Sequence, residues 1–154
     1  MESRLLADMY HAVIVGFVQN GRAPHYTELA RGLGIRPDAA RQAMHQLVNV
    51  GLPIWLHPST DYIASFAPFS NIPTQYLVSV DGRQRWYAQC GFESLAISWL
   101  FPGKEVHVDC PCLDCGEALC LRMRDGQLLA VDPPAVVGHV NLPAWRWREN
   151  WALT

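Results

Sequence analysis

The 154-residue chain is half apolar and carries twelve basic against fourteen acidic side chains, a formal charge of −2. That length suffices for a buried core in one or two small lobes, and that charge supplies no bulk attraction to nucleic acid or anionic lipid. No run approaches the ~20 apolar residues of a membrane span, and the opening MESRLLADMY lacks the basic-then-apolar pattern of a secretory signal, so a cytoplasmic protein without a membrane partner is expected.

Leu5, Leu6, Met9, Tyr10, Val13, Ile14, Phe17 and Val18 recur at helical spacing, which predicts an amphipathic helix over 4–19 stopped by Asn20-Gly21. Thr27 can then cap a short helix, Gly34 permits a turn, and Pro37 suits the first turn of a third helix that Gly51 ends. Residues 54–56 and 62–64 read as two strands around a His57–Thr60 turn, completing a winged-helix-like lobe over 1–66. The Pro-containing connector FAPFSNIP sets a boundary near Ala67, and a second lobe occupies 67–154. In it, 75–80 alternates as a strand, Asp81-Gly82 turns, and 86–99 reads as a helix broken only at Gly91. Strands at 105–109 and 118–124 flank a cysteine cluster, and Asp125-Gly126 turns the chain into 127–131. The expected fold class is α+β: a winged-helix-like helical lobe, then a small mixed lobe with β-hairpins and a Cys-bearing helix.

A helix-turn-helix that reads DNA needs Lys and Arg to neutralise phosphates. Residues 1–66 hold five arginines against five acids. Arg41, Gln42, His45, Gln46 and Asn49 could reach base edges, but so could any solvated helix face, and DNA is not expected as a partner.

Five cysteines in a chain expected in a reducing compartment point to thiol or soft-metal chemistry rather than disulfides. In WYAQCGFESLAI, Cys90 and Glu93 stand three residues apart in the predicted helix and would project from one face, so a thiolate and an acid could share a pocket. Spacing alone equally describes a core cysteine beside a surface glutamate.

Three segments taken together, PFSNIPTQYLVSV, WYAQCGFESLAI and VHVDCPCLDCGEALCLRM, resemble the organomercurial (alkylmercury) lyases in order and spacing. The matching residues are Pro68, Phe69, Pro73, Thr74, Tyr87, Cys90 and Glu93. The likeness covers about residues 1–140 and is most specific from Pro68 to Leu121. It implies an enzyme that cleaves carbon–mercury bonds by protonolysis, with Cys90 as the catalytic mercury ligand and Glu93 as the catalytic proton donor. An organomercurial and a low-molecular-weight thiol would be its partners, and no cofactor would be required. Mercury is soft and prefers thiolate, a neighbouring acid can protonate the metal-bound carbon, and Trp86, Tyr87, Phe92, Leu95 and Trp99 would make the surroundings apolar. Two departures stand out. The family's acid is usually aspartate, one methylene shorter than Glu93. The resemblance also implies a second cysteine beyond the strand corresponding to 128–140, which this sequence does not reach by Thr154, so a divergent or C-terminally shortened member is expected.

Cys112-Leu-Asp-Cys115-Gly has the form of half a zinc knuckle. Cys110 and Cys120, and His107 or His139, are the further donors at hand for zinc or mercury, with reduced free thiols in a tight turn as the alternative. Cys120 shares a strand face with Arg122 and Arg124, which would favour its thiolate. Trp145, Trp147 and Trp151, interleaved with Arg146 and Arg148, read either as a stacking surface or as a half-covered core edge that favours a homodimer. Rival readings are a metal- or thiol-responsive winged-helix transcriptional regulator and a catalytically inactive lyase homologue.

Overall fold

The computed structural model describes residues 2–140, 143, 145 and 146. Three helices come first, α1 (Glu2–Asn20), α2 (Tyr26–Leu33) and α3 (Pro37–Asn49). Met9, Val13 and Phe17 are fully buried on α1, the stripe that four-residue spacing produces on one helix face. His25, rather than Thr27, caps α2: its ring accepts from the Thr27 amide, while the Glu28 carboxylate accepts the His25 N–H at 2.7 Å. This is a capping box with an imidazole in place of the usual hydroxyl. Gly34, at φ 67°, closes α2, and Pro37 opens α3.

Among the described residues, eight strands follow: β1 (Ile54–Leu56), β2 (Ile63–Phe66), β3 (Phe69–Ser70), β4 (Leu77–Val80), β5 (Arg83–Ala88), β6 (Val106–Pro111), β7 (Ala118–Arg124) and β8 (Gln127–Asp132). Between β5 and β6 lie the short helix α4 (Gly91–Ala96) and a 3-10 turn at Ile97–Leu100. The strands form one antiparallel sheet in the order β1-β2-β3-β5-β4-β6-β7-β8. The fold is therefore α+β.

Two features of the second half differ from the sequence-based expectation. The connector contains β3, which pairs Phe69 with Phe66 of β2 and with Ala88 of β5. Strands on both sides of Ala67 thus share one sheet. Residues 86–99 are not one helix: Trp86 and Ala88 are buried with Tyr87 half-buried between them, a period of two, and they complete β5 against β3 and β4. The helix starts only at Gly91.

The helices meet the sheet through aromatic contacts. Phe17 stacks on Phe69 with centroids 5.0 Å apart, Tyr10 meets Phe66 at the same separation, and the Trp86 indole N–H donates to the Phe17 carbonyl at 2.7 Å. Gly16 sits where α1 meets the following loop, and a Cβ there would lie 2.5 Å from Pro24 Cδ and 2.8 Å from Cγ. Helix propensity alone would make Gly16→Ala stabilising by up to about 1 kcal/mol. The rigid proline ring cannot yield, so we expect a loss of about 1–3 kcal/mol instead. Urea denaturation measures it, and an unchanged or higher midpoint would contradict the packing described.

On α3, Arg41 and His45 are turned onto Asp61 of the β1–β2 hairpin, at 2.8 and 2.7 Å. Two of the five residues that could have read base edges are thereby paired with the chain's own Asp61 at the surface. Among the described residues, no helix is long and apolar enough to cross a membrane.

Candidate active site

Cys90 occupies the N-cap of α4, with extended backbone (φ −148°, ψ 174°), one residue beyond the strand–turn junction and not within a helix as its sequence suggested. Its place is fixed by the residues just before it. The Ala88 amide donates to Tyr76 O at 3.0 Å and its carbonyl accepts from the Thr74 hydroxyl at 2.7 Å. The Gln89 amide donates to Pro68 O at 2.9 Å, while its side-chain amide donates to Ser65 Oγ at 2.6 Å and Pro53 O at 3.2 Å. The Cys90 carbonyl then accepts from Ser94 N–H at 3.0 Å, the first bond of the helix. A side chain in place of Gly91 would come within 3.3 Å of the Tyr76 ring, so glycine allows the phenol to lie against the cysteine's neighbour.

Glu93 is the third residue of α4, one turn from Cys90, and the thiol lies within hydrogen-bonding reach of its carboxyl. Burial holds the Glu93 pKa up at about 7, with the Cys90 contact opposing. Burial also raises the Cys90 pKa, and the Glu93 charge adds to it; the Glu93 and Phe92 amides, which face the sulfur without forming a cap hydrogen bond, pull the other way. Glu93 Oε2 is buried with no hydrogen-bond partner among the described residues. A buried orphan acceptor is uncommon and demands a reason.

The walls come from elsewhere in the chain. Tyr10 on α1 has its phenol pKa raised by burial and then by the Glu93 charge. Tyr76 lies against Gly91, the residue after Cys90; burial raises its pKa, the Gln75 hydrogen bond opposes, and the Cys110 and Cys90 charges add smaller increments. Neither tyrosine was singled out from sequence, because only the folding of α1 and β4 around Cys90 brings them there. Of the aromatics expected around the pair, Trp86 is in the core, while Phe92 and Trp99 are 51% and 66% exposed.

The raised Glu93 pKa has a consequence for stability. The unfolded carboxyl ionises near 4.5 and the folded one near 7, so between those values the folded state holds more protons and stability falls as pH rises. The full loss, reached above about pH 7, is about 3 kcal/mol. Glu93→Gln should abolish this slope and raise stability above neutrality, as urea titrations at acidic and alkaline pH would reveal. A parallel pH dependence in both proteins would contradict the buried setting of Glu93.

The alkylmercury lyase family model matches residues 69–153, more than half of the chain. The chain belongs to the alkylmercury lyase family. Among the family's curated members, the alkylmercury lyases of Bacillus cereus and Clostridium butyricum are each 32% identical over 72 residues, covering 47% of this chain and 32% of theirs. The chain thus spans about a third of the length of these relatives. The mercury-bound form of MerB2 has the same fold, with a TM-score of 0.66 at 21% identity over 87% of this chain and 66% of that one.

The remaining cysteines of this alkylmercury lyase family member do not gather on Cys90. Cys110 and Cys120 point to opposite faces of the sheet, in register with Leu119 and Asp109, and both line a groove of about 360 Å³ with Gln75 and Asp132. Cys120 is not tuned toward thiolate by its arginines: burial and then Asp109 raise its pKa, outweighing Arg122. Cys110 is raised by burial, then by Asp109 and Cys112. The Cys112 pKa is lowered, chiefly by the Cys115 and Asp114 amides. His107 lies 2.8 Å from Glu105, which also meets Arg122 and Arg124, and His139 is exposed. Among the described residues, no three His, Cys, Asp or Glu side chains converge to hold a metal. Trp145 is 77% exposed, with the Arg146 guanidinium 5.9 Å from its ring; Trp147, Arg148 and Trp151 lie outside the described residues.

Proposed function

We propose that this chain carries the reaction centre of an organomercurial lyase-like protein, in which Cys90 takes the mercury and Glu93 protonates the carbon bound to it. The supporting observation is the buried, unpartnered Oε2 of Glu93 beside a cysteine thiol. A buried acid poised near neutrality keeps a proton that an exposed carboxyl would have lost, and a general acid works best when its pKa lies near the operating pH.

The Cys90 thiol displaces a small-thiol ligand from an organomercurial; a sulfur–mercury bond forms, the old one breaks, and the thiol proton passes to the departing sulfur. The electron-rich sulfur makes the mercury-bound carbon more basic. Protonated Glu93 then delivers its proton to that carbon, the carbon–mercury bond breaks, hydrocarbon leaves, and Glu93 is left as carboxylate. A low-molecular-weight thiol gives its sulfur to the vacated mercury position and its proton to Glu93, which restores the acid. Mercury remains divalent throughout, so no redox cofactor is needed.

The same carboxyl sets the pH dependence. The proton-bearing form declines as pH rises through about 7, so the rate of the cleavage step should fall about tenfold per unit above that point. The test is benzene release from phenylmercury in excess small thiol, followed by headspace gas chromatography. Release that falls on the alkaline side supports the assignment, and absence of release at every pH overturns it.

A further inference from the structure

The turn joining β6 to β7 brings two sulfurs together away from Cys90. The Cys112 amide donates to Glu117 O at 2.7 Å, the Gly116 amide donates back to Cys112 O at 2.9 Å, and Gly116 takes φ 77° to close the loop. Closure sets the Cys112 and Cys115 side chains within hydrogen-bonding reach of each other and directs the Asp114 and Cys115 amides at the Cys112 sulfur. Backbone donors aimed at a sulfur stabilise a thiolate without any nearby cation. Cys115 is exposed and Cys112 half-buried, so an arriving ion meets no barrier.

We propose that Cys112 and Cys115 form a two-sulfur binding site for inorganic mercury(II), separate from Cys90. Donor count decides between metals. Structural zinc takes four ligands in a tetrahedron, and no third donor converges here among the described residues; His107, further back on β6, is directed to Glu105. A soft divalent ion content with two thiolates needs nothing more. Loading is a ligand exchange: two cysteine–mercury bonds form, two bonds from mercury to small thiols break, and each departing sulfur carries away one cysteine proton. The two linked sulfurs act as one chelate, which gives them an advantage over the same number of free monothiols. That the ion comes from Cys90 after cleavage rests on the lyase reading; the site itself does not.

Cys90→Ser protein loaded with mercuric chloride, washed with excess monothiol and weighed intact provides the test. One mercury per chain should remain, and adding Cys112→Ser or Cys115→Ser should remove it. Failure of Cys90→Ser to retain mercury, or retention undiminished by either second substitution, overturns the proposal. Should a double variant lose its fold, iodoacetamide labelling of loaded Cys90→Ser protein asks the same question. A single tryptic peptide would carry Cys110, Cys112, Cys115 and Cys120, so fragment ions must locate the labels. Protection of Cys112 and Cys115 is expected, and protection of Cys110 or Cys120 in their place contradicts it. Zinc should be stripped by the same wash; zinc retained would mean a fuller coordination shell and would also overturn the two-sulfur site. With Cys90 absent throughout, none of these outcomes depends on the lyase reading, whose own failure would appear as absent benzene release.

Discussion

Glu93→Gln is expected to slow benzene release from phenylmercury by about 10²–10⁴-fold, the usual contribution of a positioned general acid. The amide fills the same volume and can still accept from Cys90, but it has no proton to give at neutral pH. Because burial holds the wild-type carboxyl near 7, the substitution also removes a charge that its buried setting solvates poorly, so the variant should be slower and yet more stable above neutrality. This opposite movement of rate and stability separates loss of the acid from damage to the fold, which would lower both. Glu93→Asp would pull the acid back by one methylene, and an intermediate rate is expected because the proton is present but displaced.

Cys90→Ser should reduce release to that of a protein-free control. Oxygen is a hard donor and holds mercury poorly beside any competing thiol, so the bond to be cleaved is never brought to Glu93. The loss should be larger than for Glu93→Gln, since the ligand is removed and not merely the proton. Steady-state assays in excess small thiol measure it. Wild-type turnover in Cys90→Ser would move the catalytic sulfur to another of the five cysteines.

Much of the site was legible because its residues sit close together in sequence. Cys90 and Glu93 are three apart, and a single helical turn suffices to join them, even though the helix begins at Gly91 and the cysteine caps it. The neighbouring matches also have a physical role: the Pro68 carbonyl accepts the Gln89 amide, Thr74 donates to Ala88, and Phe69 pairs with Ala88. They are the scaffold that ends β5 and delivers Cys90. The misread stretch was Trp86 to Ala88, where three residues are too few for a period of two to be told from one of 3.6. β3 is shorter still, at two residues, and only its two neighbours make it a strand. Tyr10 and Tyr76 were invisible for a different reason: each looks like an ordinary member of an apolar face, and its relation to Glu93 or Cys90 exists only after long-range closure. Cys120 shows the limit of reading charge from one strand, since Asp109 on the paired strand outweighs the arginines beside it.

Whether sulfur at Cys90 holds mercury while Glu93 protonates its carbon is read out by intact mass spectrometry after one equivalent of phenylmercury, with Cys112 and Cys115 replaced by serine. The wild-type Cys90–Glu93 pair should pass from a phenylmercury adduct to a bare mercury adduct, whereas Glu93→Gln should remain at the phenylmercury mass. Loss of the phenyl group at equal rates with and without the carboxyl would show that Glu93 is not the proton donor.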